Sequence, residues 1–166
     1  MLPAARSVFS VDAEVVDPGA GLPALLEAVV DARELAEYPI VTRIDGRLAY
    51  LPGVRDLTGD GITRLLADPA SAKVDPAKTL LVLEEPHALL AAPAIPGWTG
   101  PILTLGARVR RPAVVTTGDG GESLAIRTIA HLTLSADPLT VDDRTATAFL
   151  HAVAARLAQR LSEPPS

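Results

Sequence analysis

Two carboxylates and an imidazole stand close together in this chain, at Glu84, Glu85 and His87. A carboxylate near a histidine can move protons, one group holding what the other gives up. The same three residues on a solvated turn carry no chemistry, and both readings stay open. Further on, Asp137 and Asp142 flank Pro138. Loop carboxylates serve more often as caps or ion-pair partners than as catalysts, and Asp142 or Asp143 is placed to cap a helix. His131, Thr133 and Ser135 alternate along the chain. In a strand they share one face and line whatever that face meets, although a packed histidine fits the same spacing. Trp98 is the sole tryptophan and either walls a pocket or fills the core. The histidines lack metal-ligand spacing and there is no cysteine, so no metal, thiolate nucleophile or disulfide is expected. Gly118 to Gly121 lies between strands without the helix start that a phosphate cradle needs, and reads as a hairpin turn.

The elements that must position these groups follow from periodicity. Ser7 to Val16 alternates as a strand, ended by Asp17-Pro18-Gly19. A helix starts near Leu22, with Pro23 in its first turn and Leu22, Leu25, Leu26, Val29 and Val30 on one stripe. Ile40 to Ile44 and Leu48 to Leu51 form a hairpin around Asp45-Gly46. Gly61 to Asp68 is a short helix, and Pro69 to Lys78 a polar loop. Thr79 to Leu83 is a continuous apolar run and so a buried strand. His87 to Trp98, rich in alanine and proline, has no readable period. Ile102 to Val109, Ala113 to Thr116 and Leu124 to Ser135 are strands, and Asp143 to Leu161 a closing helix with a frayed tail behind it.

A chain of 166 residues, 48% hydrophobic, fits one domain with a core of its own. The mixture of elements predicts an α/β (α+β) fold, one mixed sheet with helices packed on it, spanning residues 1–166. A net charge of −5 with scattered basic residues argues against nucleic-acid binding. No apolar run reaches membrane-spanning length, and Met1 to Val16 carries Arg6, Asp12 and Glu14, unlike a signal peptide. The expected compartment is the cytoplasm.

Leu132-Thr133-Leu134-Ser135-Ala136-Asp137-Pro138-Leu139-Thr140-Val141-Asp142-Asp143 resembles the signature of dihydrolipoamide acyltransferases, the acyl-transfer components of 2-oxo acid dehydrogenase complexes, related in fold to chloramphenicol acetyltransferase. In that family a Leu-Thr-Leu-Ser strand runs into Asp-His-Arg-x-x-Asp-Gly and then an amphipathic helix. Upstream, Ile102 to Ala107 resembles the family's penultimate strand, and Arg110, Arg111, Pro112, Val114 and Val115 continue the match into the hairpin. The resemblance covers Pro101 to Leu157. It implies a chloramphenicol acetyltransferase-like single domain that assembles as a homotrimer, with a channel between subunits.

The departures bear on function. The family histidine, general base toward a thiol, falls on Pro138, which has no ionisable side chain. The family's oxyanion-stabilising hydroxyl falls on Leu83, which offers no donor. Ordinary thioester acyl transfer is therefore not expected. The resemblance also implies neither lipoyl domain nor subunit-binding segment here, so the chain is not expected to form the working core of a dehydrogenase complex. What it does imply is a repurposed fold: a small-molecule enzyme for cyclisation, isomerisation or elimination in specialised metabolism, without cofactor. Glu84, Glu85, His87 and Asp137 are the candidate catalytic residues. Leu83, Trp98, His131, Thr133, Ser135 and Pro138 are the candidate substrate contacts. A non-catalytic trimeric scaffold or regulator, and a residual acyltransferase with His87 or His131 as relocated base, are the alternatives.

Overall fold

One strand organises the sheet. β7 (Glu122–Ala136) is fifteen residues long, and three other strands pair with it. The computed structural model describes residues 5–16, 21–71 and 73–159. In chain order the elements are β1 (Ser7–Glu14), α1 (Leu22–Asp31), β2 (Ile40–Ile44), β3 (Arg47–Tyr50), a 3-10 turn (Val54–Asp56), α2 (Gly59–Ala67), β4 (Leu80–Glu84), β5 (Ile102–Leu105), β6 (Val109–Thr116), β7 and α3 (Asp143–Gln159). The seven strands form a mixed sheet in the order β1-β7-β5-β4-β2-β3, and β6 pairs with β7 beyond that path. β2, β4 and β5 are parallel; β7 runs antiparallel to β5 and β1. This is the mixed α/β sheet that the sequence predicts.

The two faces are closed by different means. Leu80, Val82, Leu103, Leu132 and Leu134 point to the side covered by α1 and α3, where Leu25, Leu26, Val29, Phe149, Leu150 and Val153 complete the larger core. Each of these helices presents an apolar stripe at helical spacing. Val41, Leu81, Leu83, Ile102 and Trp98 form a smaller cluster on the opposite face. No helix among the described residues covers that face. Residues 85–101, the connection from β4 to β5, have no helix or strand. Since β4 and β5 are parallel, this connection must return from one end of the sheet to the other. It carries His87 at its start and Trp98 near its finish. β4, covered on both faces and paired on both edges, is the continuous apolar run seen in the sequence.

Most boundaries follow the sequence pattern. The β2–β3 hairpin turns at Asp45 (φ 49°) and Gly46 (φ 76°), the two left-handed positions that make Asp-Gly a favoured pair there. Ile102 to Val109 is not one strand. β5 stops at Leu105, and β6 runs from Val109 straight through Pro112. At Gly106 the carbonyls of Ala88 and Leu89 come too close for a Cβ, so the backbone of the 85–101 connection forces the break. Pro112 is tolerated because β6 pairs with β7 alone and needs no second row of donors. α2 begins at Gly59 instead of Gly61. Asp17 to Gly19 and the tail after Gln159 lie outside the described residues. No helix among the described residues is long and apolar enough to cross a membrane.

Candidate functional site

β7 ends at Ala136; His131, Thr133 and Ser135 lie along its final stretch, and Asp137 and Pro138 just past it. Asp137 opens a tight turn. Its carbonyl accepts from the backbone N–H groups of Thr140 and Val141, both at 3.0 Å, and its Oδ1 accepts from Leu139 N–H at 2.9 Å. Pro138, exposed, sits at the second position of that turn, where its fixed φ fits. Leu139 beside it is 93% exposed. Asp142 then caps α3: its Oδ1 accepts from Thr145 N–H at 2.7 Å. Those hydrogen bonds, from the Thr145 backbone first and its hydroxyl second, hold the Asp142 carboxyl below the usual aspartate range.

Arg6, at the start of β1, ties this corner together. Its Nε donates to Ser135 Oγ at 2.7 Å, and one terminal nitrogen donates to the carbonyls of Ser135 at 2.6 Å and Gly100 at 2.8 Å. The other reaches Trp98 O at 3.4 Å. Burial lowers the guanidinium's pKa, and the charge of Asp137 opposes that shift. A cavity of about 390 Å³ opens beside it, lined by Arg6, Ala94 to Thr99, Ile102 and Asp137. Trp98 is buried against Leu81, Leu83 and Ile102, so it fills core on one side and walls this cavity on the other.

The other candidates lie at the far end of the sheet. Leu83 is fully buried in the smaller core. Glu84, at the end of β4, accepts from Arg108 at 2.8 Å, and Glu85 accepts from Arg43 at 2.6 Å. His87 is exposed two residues on. The register measures the separation. Glu84 stands opposite Leu105, which stands opposite Leu132, whereas Ser135 stands opposite Ile102, at the other end of β5. Within one chain, Glu84, Glu85 and His87 do not meet Asp137 and Pro138.

His131, Thr133 and Ser135 do share a face of β7, the one opposite α1 and α3. Thr133 and Ser135 are buried there in the single chain. Thr133 stands opposite Thr104 of β5, and neither hydroxyl has a hydrogen-bond partner among the described residues. His131 faces Asp12 of β1, with Nδ1 to Oδ1 at 2.5 Å, while an Arg111 nitrogen approaches Nε2 at 3.3 Å. Arginine only donates, so Nε2 accepts and the proton of the neutral ring sits on Nδ1 against the carboxylate. Both nitrogens are then engaged. The Thr117 to Gly121 turn closes the β6–β7 hairpin. Asp119 accepts there from the Thr117 hydroxyl and from Gly121 N–H at 3.1 Å, which lowers its pKa. Among the described residues no group of three His, Asp or Glu side chains is arranged to hold a metal ion.

Sequence reasoning passed over Arg6, Asp12, Arg43, Arg108 and Arg111. Arg6 and Asp12 were open to discovery: strand alternation places both on the face of Val8 and Ser10, which register against Ser135 and Thr133. The arginines that pair Glu84 and Glu85 come from β2 and from the 106–108 break, and local spacing holds no signal for either.

No protein-family model matches the chain, and no curated protein sequence matches it. Its fold does match solved structures. A probable dihydrolipoamide acetyltransferase from Listeria monocytogenes superposes with a TM-score of 0.76 at 17% identity, over 98% of this chain and 88% of that one. The dihydrolipoamide acetyltransferase of Azotobacter vinelandii, studied for the role of a serine, a histidine and an asparagine in its catalytic mechanism, gives 0.68 at 14% identity, over 96% and 84%. A chloramphenicol acetyltransferase gives 0.57 at 14%, over 92% and 85%. At these identities the likeness is one of fold: the chain has the architecture of dihydrolipoamide acetyltransferase catalytic cores and of chloramphenicol acetyltransferase.

Proposed function

We propose that this chain is a repurposed acyltransferase-fold enzyme that acts on a small molecule in a pocket between subunits of a cytoplasmic homotrimer, without thioester acyl transfer and without cofactor. Cyclisation, isomerisation or elimination is the reaction class, because each can be driven by holding one substrate in a reactive shape. The observation that carries this reading is the turn at Asp137. Proline follows the aspartate where the resemblance sets a general base, and a buried leucine, Leu83, stands where it sets an oxyanion donor. A site so furnished lacks the base and the oxyanion donor that the resemblance sets there, and leaves Glu84, Glu85, His87 and Asp137 as its candidate catalytic groups.

The geometry supports assembly. Glu85 and His87 lie at one end of the sheet and Asp137 at the other. A site using both needs the strand end of one chain and the 83–87 turn of a neighbour. The surface has apolar material to bury. Val114 is 63% exposed, Leu124 76% and Ile126 56%, and the hairpin register places them on one face of β6 and β7.

One observation favours a second reading, the non-catalytic trimeric scaffold or regulator: Glu84 and Glu85 are both ion-paired, and Thr133 and Ser135 are buried. Two measurements decide. Sedimentation equilibrium is expected to give a trimer at micromolar concentration, and a monomer would sink the interface site. With acetyl-coenzyme A and dihydrolipoamide no turnover is expected, since loss of one oxyanion donor alone costs on the order of 100-fold. Pro138→His alone is expected not to restore it, because groups that act as a unit fail together. Turnover at the level of working acetyltransferases overturns the reading. Alanine variants of Glu84, Glu85, His87 and Asp137 separate enzyme from scaffold once the substrate is known: the enzyme loses turnover in at least one.

A further inference from the structure

We infer that His131 is a general base, and Arg111 its electrophilic partner, for shifting the double bond of a small unsaturated ketone, with Asp12 as the positioning residue. The inference rests on the isomerisation reading above for its reaction class and places the base outside the four candidates named there. Three strands assemble the group: Asp12 on β1, His131 on β7 and Arg111 on β6. Asp12 registers opposite His131, and Val109, two residues before Arg111, registers opposite Ile129, two before His131. Strand alternation puts all of them on one face, the one opposite α1 and α3. The side chains of His131, Arg111 and Asp12 are 25%, 39% and 56% exposed, so the group opens to solvent.

The ring is held as a base needs. Its Nδ1 donates to Asp12 Oδ1 at 2.5 Å, which leaves the lone pair on Nε2. A carboxylate that fixes the tautomer and orients the ring is how a histidine is made ready to take a proton from a third group. The present partner of Nε2 is weakly held. Arg111 donates to it over 3.3 Å, long for a hydrogen bond, and stands 3.9 Å from Asp12 in an exposed pair. A ketone replaces that contact with two. Its oxygen accepts from the guanidinium, and the C–H beside the carbonyl meets Nε2. An oxygen and a carbon two bonds apart suit a donor and an acceptor that stand 3.3 Å from each other. Ile129 and Val109, both half-buried on the same face, supply an apolar floor for the carbon skeleton. The step balances within the substrate. The C–H bond breaks and its proton passes to Nε2; the electron pair forms a carbon–carbon double bond, and the carbonyl pair moves onto oxygen. The guanidinium stabilises the charge there, and Asp12 the imidazolium. The proton, returned to the γ-carbon, re-forms the carbonyl with the double bond now in conjugation with it.

Two measurements on the full chain test this. In nitrogen–proton correlation spectra of the histidine rings at mildly alkaline pH, the His131 signals are identified by their loss in His131→Gln. They are expected to show the proton on Nδ1, and Asp12→Asn to move part of it to Nε2, a change that a merely structural role does not make. A proton on Nε2 in the wild-type chain overturns the inference. The second measurement follows the unconjugated isomer of cyclohexenone as it converts to the conjugated one, read by ultraviolet absorbance. The wild-type chain is expected to exceed the buffer rate, and His131→Gln and Arg111→Met each to lose at least about tenfold in kcat/KM with circular dichroism unchanged. If His131→Gln does not fold, Arg111→Met, at a more exposed position, carries the comparison. No acceleration, or an acceleration that the variants keep, overturns the inference. Sedimentation of the same sample separates this from failure of the interface reading. A trimer without acceleration overturns this inference alone, a monomer without acceleration overturns both, and a monomer that accelerates overturns only the interface.

Discussion

The two ends of the central sheet handle charge in opposite ways. Where β7 finishes, a half-buried guanidinium binds three stretches of chain at once: the start of β1, the end of β7 and the 98–100 segment. Where β4 finishes, two carboxylates meet two arginines, Arg43 with Glu85 in an open pair at 39% and 28% exposure and Arg108 with Glu84 in a part-buried one at 20% and 24%. The first arrangement satisfies backbone carbonyls that have few other donors. The second trades water for a counter-ion and gains little. Charge is structural at the first end, where Arg6 and Asp137 edge a cavity, and pairs near the surface at the other.

The largest effect expected from this contrast is that of Arg6→Met. It keeps much of the stem and removes every donor, leaving Ser135 Oγ and the Gly100 carbonyl without their partner; urea unfolding should show a loss of about 2 kcal/mol. Glu84→Gln comes next, at about 1 kcal/mol, its pair being part-buried, and Glu85→Gln last of the three, at about 0.5 kcal/mol or less, because an open ion pair contributes little. Should Glu85→Gln cost as much as Arg6→Met, the contrast between the ends collapses. The smallest effect sharpens the picture through pH. The Asp142 carboxyl has its pKa depressed in the folded state by the Thr145 hydrogen bonds. Its stabilisation is therefore complete above the unfolded aspartate value, about 3.9, and is lost as pH falls through the lower folded value. Asp142→Asn keeps a good cap at neutral pH and should flatten that part of the acid-unfolding curve. An unchanged acid limb in the variant shows that the cap does not titrate with unfolding.

Local rules carried the sequence reading a long way. Alternation marked β1, the Asp-Gly pair marked the β2–β3 hairpin, and the apolar run at Leu80 to Leu83 marked β4. Non-local contacts set its limits. The break after Leu105 depends on Gly106 meeting the backbone of Ala88 and Leu89, distant neighbours in sequence. The site was legible in parts for the same reason. Alternation put His131, Thr133 and Ser135 on one face, yet only the path of residues 85–101 and the placement of Arg6 determine that Thr133 and Ser135 are closed over. Glu84 and Glu85 stood out as neighbours of His87, but their arginines arrive from elsewhere in the sheet.

The centrality of β7 has a consequence for how the protein is made. β1 and β5 flank it, from Ser7 opposite Ala136 to Ile102 opposite Ser135, so β1 has no partner, and β5 only β4, until β7 has been synthesised. At 5–20 residues per second, β1 waits on the order of 10 s on the ribosome with its apolar face unprotected. Pairings of such sequence separation close slowly even in the finished chain. The nascent protein thus holds β1 unmatched through most of its translation and one edge of β5 unmatched near the end, and shielding by a chaperone matters most in that interval.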